Sequence, residues 1–213
     1  MEEWGSSVMN MVAVSLVVVA FIFYMNRLLG ILPYLLDGVL RSSPLANLEA
    51  SVRLTRDRNA LSIIAFFTIC LLASRYDAYT ADFLVLFTPG VKTLVIIGIS
   101  LAAFWMRLAL VYLCAPRRSS RENYLLAART FYDFLIVAAM LLGITAGVLS
   151  IFKANDLTVR TVLFYEGGFV LLVFLLRRTQ ILGNSCGQFM ALLYMILLEL
   201  IPFGALLASA LIF

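Results

Sequence analysis

Six long apolar runs, at residues 8–25, 61–74, 91–114, 131–152, 159–176 and 189–213, take up most of this 213-residue chain. About 20 apolar residues are what a helix needs to cross a bilayer. Lipid offers no partners to backbone N–H and C=O groups, so only helices and closed barrels span it. Barrel strands would appear as segments of about ten residues of alternating polarity, and these runs do not alternate. The expected fold is therefore all-α, a polytopic membrane protein with six transmembrane helices forming one domain over 1–213. The second run is short, but Arg75 and Tyr76 carry it to the interface. Composition agrees: 63% of residues are hydrophobic and 13% charged, against about 45–50% and about 25% in soluble domains. Spans on this scale leave no room for a soluble domain of ordinary size.

The first run is preceded by Glu2 and Glu3 and exits into Tyr24-Met25-Asn26-Arg27 with no small-x-small cleavage site. It reads as a retained span rather than a cleaved signal peptide. Basic residues then set the orientation. Arg27, Arg41, Arg53, Arg56 and Arg58 lie between runs one and two. Arg117, Arg118, Arg121 and Arg129 lie between three and four, and Arg177 and Arg178 between five and six. The alternate loops hold only Arg75, Lys92, Lys153 and Arg160. This bias places the basic loops in the cytoplasm and both termini outside it. The net charge of +4 is thus a matter of topology and anionic lipid. With no folded domain to carry a basic patch, nucleic acid is not an expected partner.

The longest connection covers 27–59. Its apolar stretch 28–36 contains Gly30 and Pro33 and is too short to span. Residues 45–58 place Leu45, Leu48 and Val52 on one side and Arg53, Arg56 and Arg58 on another. That pattern fits an amphipathic helix in the interface plane, with its arginines on the membrane surface alongside Arg117 and Arg118. An ordinary linker helix is the alternative. The loop 76–90 gathers Tyr76, Tyr79, Phe83 and Phe87, which reads as an interfacial aromatic belt, with a re-entrant or partner-docking segment as the alternative.

Three ionisable residues fall inside apolar runs: Arg107, Glu166 and Glu199. A charge at the centre of a membrane helix costs roughly 2.5–3.5 kcal/mol on insertion scales, so such groups face the bundle interior and find partners. Counting about 1.5 Å of rise per residue from the cytoplasmic run ends puts all three at similar depth. The expected site is one buried polar layer, with Arg107 paired to Glu199 or Glu166. A structural ion pair and a proton or ion site are the two readings. Gly167-Gly168 beside Glu166, and Pro202 after Glu199, suggest local helix breaks of the kind found near transporter sites. Gly143 and Gly147, and more weakly Gly204 and Ala208, have the spacing that lets two helices approach closely, either within the bundle or across a homodimer.

Catalytic readings lack their residues. There is no His, so a serine protease of the membrane would have no usual base. An aspartyl type needs two facing Asp residues, and only Asp133 lies near a run. No phosphate-binding glycine motif is present. Cys70, Cys114 and Cys186 are too scattered for a zinc site or disulfide scaffold. No enzyme activity, metal or cofactor is expected.

The string Leu193-Tyr194-Met195-Ile196-Leu197-Leu198-Glu199-Leu200-Ile201-Pro202 resembles the last helix of a family of uncharacterised bacterial multi-pass membrane proteins, a domain of unknown function. That family carries Leu-Tyr, then Leu-Glu, then Pro at this spacing, and a similarly placed basic stretch between spans one and two. Here Leu197 stands where the pattern has Cys. The resemblance implies a bacterial inner-membrane protein in which Tyr194, Glu199 and Pro202 act as one unit. The leading expectation is a non-enzymatic subunit of an envelope complex, for secretion, assembly or energy coupling, with other membrane subunits as partners. A small proton- or ion-coupled transporter using the buried Glu/Arg layer is the alternative.

Overall fold

Helices account for every apolar run that can be followed. The computed structural model describes residues 4–40, 51–79, 84, 86–113, 121–186, 188–202 and 204. After a 3-10 turn at Trp4–Ser6 come α1 (Val8–Leu40), α2 (Val52–Arg75), α3 (Pro89–Leu113), α4 (Arg121–Ile151), α5 (Asp156–Cys186) and α6 (Gln188–Met195), followed by a π-helical turn at Ile196–Leu200. No strand occurs among the described residues. Five helices, α1 to α5, are long and apolar enough to cross a membrane, the architecture of a multi-pass membrane protein. The expected sixth span begins with α6 and the π turn, but 203 and 205–213, Ala208 included, lie outside the described residues.

Local chemistry sets the helix ends. Ser51 Oγ accepts from the Leu54 N–H at 3.5 Å and caps α2. Between α4 and α5, Lys153 turns the chain with φ of 52°. Asn155 Oδ1 then accepts from the Leu157 N–H at 3.4 Å, which satisfies a donor at the start of α5.

Helix α4 is the pivot, packed against α2 on one side and α5 on the other; α1 lies along α2, and α6 folds back on α5. Helix α3 leans on α2 and on the π turn, and its side chains reach across to α4. An aromatic chain ties these layers together: Phe66 of α2 to Phe104 of α3 at 6.0 Å, Phe104 to Phe131 of α4 at 6.2 Å, and Phe131 to Phe174 of α5 at 5.9 Å. Lipid tails are as apolar as these rings, so van der Waals fit rather than hydrophobic transfer favours the packing.

Several expected boundaries move. Residues 28–36 are not a non-spanning link but part of α1, which runs straight through Pro33. Leu28, Ile31 and Leu35 are buried against Leu61, Ala65, Ile136 and Ala139, and that packing holds the segment helical despite the donor lost at Pro33. Of the expected interfacial helix, 52–58 form the first turns of α2, while 45–50 lie outside the described residues. Arg53 and Arg56 are exposed, but Arg58 is 1% exposed and belongs to the core rather than the membrane surface. Arg117 and Arg118 lie outside the described residues. In the loop after α2, Tyr79 and Leu84 are buried against Ile96, whereas Phe87 is exposed and 83 lies outside the described residues. Helix α5 continues without a break through Gly167-Gly168 and ten residues beyond the expected end, to Cys186.

The far end of the α1–α2 hairpin is closed by hydrogen bonds. Trp4 Nε1 donates to Ser74 Oγ at 3.0 Å, Ser74 and Thr93 share a 2.6 Å hydroxyl contact, and Asn10 Nδ2 donates to the Trp4 carbonyl at 3.0 Å. Arg75 lies over the Trp4 ring, and Lys92 pairs with Asp77 at 2.5 Å.

Candidate functional site

Pro202 has no N–H, and in a regular helix its ring would clash with the carbonyl four residues back. The chain avoids this by widening the preceding turn. The Ile201 N–H bonds to the Ile196 carbonyl, a π-helical pattern that often marks functional positions. Glu199 sits in this turn and is 1% exposed, so the expected break at Pro202 takes the form of a π turn, and the carboxylate lies on it.

Two helices supply its partners. From α3, Arg107 Nε donates to Glu199 Oε1 at 2.9 Å and Oε2 at 3.1 Å, and Nη2 lies 2.9 Å from Oε1. From α5, Arg178 Nη1 forms an ion pair with Glu199 Oε1. Arg107 is held further by its Nη2, which donates to the Ala128 carbonyl at 3.0 Å, and by the Phe131 ring, whose centre is 3.9 Å from the guanidinium carbon. Beside the cluster, the Tyr124 hydroxyl donates to the Val111 carbonyl at 2.8 Å, and Tyr124 meets Tyr194 edge to face at 5.5 Å. Both arginines are buried, Arg178 completely.

Two more ionic contacts occupy the same end of the bundle. Arg58 of α2 lies 3.9 Å from Asp133 of α4, with its guanidinium over the Tyr132 ring and on Asn59 Oδ1 at 3.1 Å. Arg27 of α1 donates to Asp57 of α2 at 2.6 Å. The start of α2, the end of α3, the start of α4 and the end of α5 thus bring their charges into one layer.

Of the two carboxylates open to Arg107 in the sequence, the structure pairs it with Glu199. Glu166 is not in that layer. Because α5 extends to Cys186, Glu166 lies only ten residues from the helix start, toward the opposite end of the bundle. There its Oε1 accepts from Thr145 of α4 at 2.9 Å, and its Oε2 is buried with no hydrogen-bond partner among the described residues. Gly167 and Gly168 flank it inside regular helix. The third member of the layer is Arg178, which the sequence places at the end of an apolar run, where basic residues are ordinary topology signals. Arg58 and Asp133 were hidden the same way. A Cβ at Gly143, Gly147 or Gly204 would meet nothing within 4 Å, so these glycines do not serve close helix packing among the described residues.

Chemically the cluster is a charge clamp. A carboxylate held by two guanidinium groups, one of them on both its oxygens, is fixed in position and has its lone pairs engaged. Among the described residues no group of three or more His, Cys, Asp or Glu is placed to hold a metal. No protein-family model matches the chain, and no match was found among curated proteins or solved structures.

Proposed function

We propose that the chain is a non-enzymatic integral subunit of a multi-protein complex in a bacterial inner membrane, with six spans, both termini outside the cytoplasm and the charged layer toward the cytoplasmic side. The observation that carries this reading is the clamp on Glu199. A carrier needs a carboxylate that is free to bind and release its proton or ion, whereas two buried arginines engage the oxygens of this one and hold it in place. The role that fits is to lock α3, α5 and the π turn in register. Helix α1 adds support: between residues 8 and 25 only Asn10 is buried, which leaves a long apolar face for lipid or for other subunits. The test is extraction in mild detergent followed by cross-linking and mass spectrometry. A stoichiometric membrane partner is the expected result; a lone monomer or homodimer overturns the proposal.

A small proton- or ion-coupled transporter is the second reading, and Glu166 rather than Glu199 favours it. Its buried oxygen, without a hydrogen-bond partner among the described residues, is the kind of group that exchanges a proton inside a membrane. Proteoliposomes carrying Glu166→Gln decide this. Lost proton flux with unchanged assembly supports transport, and no flux in the unaltered protein removes it.

A further inference from the structure

Between α2, α3 and α4, in the charged layer, lies a cavity of about 440 Å³. Arg58, Arg107 and Arg129 line it together with Asn59 and Ser62, and no carboxylate lines it among the described residues. Asp133 and Glu199 meet Arg58 and Arg107 from outside the cavity. Three guanidinium groups, from α2, α3 and α4, thus line one chamber. The other wall of the cavity is apolar, formed by Ile63, Phe66, Phe67, Leu101 and Phe104. Ile63 and Phe67 also begin a second, almost wholly apolar groove of about 380 Å³, which continues between α1, α2 and α3 past Leu16, Ala20, Ile64 and Ile97.

A cationic chamber joined to an apolar groove fits an anionic amphiphile. We propose that the chamber holds the phosphate headgroup of an anionic bilayer lipid, with an acyl chain lying in the groove between α1 and α3. Guanidinium groups bind phosphate oxygens through paired, charge-assisted hydrogen bonds, and basic pockets between membrane helices are known seats for such headgroups. The bilayer is the source the groove selects. Free phosphate would satisfy the arginines and leave the apolar half empty.

The experiment uses the full chain in nanodiscs of phosphatidylcholine with added phosphatidylglycerol, and native mass spectrometry counts the lipid retained. The unaltered protein is expected to keep phosphatidylglycerol in preference to phosphatidylcholine, and excess inorganic phosphate is expected to leave it bound. Arg129 is exposed, so Arg129→Gln should fold normally and lower retention about fivefold, the weight of one basic group near a membrane surface. Ala20→Phe fills the groove and should lower retention with every arginine intact. Equal retention of the two lipids, or no effect of Arg129→Gln in a protein of unchanged melting temperature, overturns the proposal. So does displacement of the lipid by inorganic phosphate together with indifference to Ala20→Phe, which would make this a site for a free anion.

Discussion

Two guanidinium groups share the carboxylate of Glu199, and that stoichiometry fixes how each should respond to removal. Glu199→Gln leaves Arg107 and Arg178 buried without their counter-charge. Breaking a buried pair in this way costs about 3–5 kcal/mol. Arg178→Met leaves the Arg107–Glu199 pair neutral and replaces a buried cation with an apolar chain, an exchange often close to neutral. Thermal melts in one detergent should show a large fall for the first variant and a small one for the second; equal falls would refute the unequal sharing. Arg107 and Glu199 were legible because a charge inside an apolar run has few places to go. Arg178, Arg58 and Asp133 were not, because each stands at the edge of a run, where solvated charges also occur. Only the helices' continuation past those edges buries them.

At the level of the element, the π turn aims Glu199. Replacing a proline inside a regular helix should relieve about 3 kcal/mol of strain and lost bonding. Pro202→Ala should do the opposite here. A turn that returns to α geometry drops one residue from its circuit and swings Glu199 away from Arg107 and Arg178, so the melting temperature should fall. Glu199→Gln should then cost less in the Pro202→Ala background than alone, and a double-mutant cycle measures that coupling. Additive effects would refute the aiming role. Pro202 was readable as a disturbance, although not as a π turn, since its missing donor is visible in the letters and its local remedy is not. Gly167-Gly168 misled for the complementary reason. Glycine weakens a helix by about 1 kcal/mol in water, but in lipid the alternative is unpaired backbone, and the helix persists.

For the molecule as a whole, the proposed orientation predicts which residues each compartment can reach. With Cys70, Cys114 and Cys186 replaced by alanine, Arg53→Cys should react only with a thiol reagent on the cytoplasmic side, and Lys153→Cys only from the opposite side; both positions are exposed. Labelling from the reversed sides would invert the topology. The apolar runs made the all-helical class legible. Helix lengths were harder to read, since α1 and α5 extend into charged or proline-bearing sequence that hydropathy assigns to loops.

The Arg107–Glu199 pair joins residues 92 apart in sequence, which gives it a place in time as well as in space. At a synthesis rate of about 5–20 residues per second, Arg107 precedes its carboxylate by roughly 5–20 s. Arg178 also emerges before it. During that interval α3 enters the bilayer carrying a cation that has no protein anion in this clamp. Membrane insertion of this chain is therefore sensitive to whatever negative charge the surrounding lipid supplies, and the last turn to be made is the one that neutralises the first charge buried in the clamp.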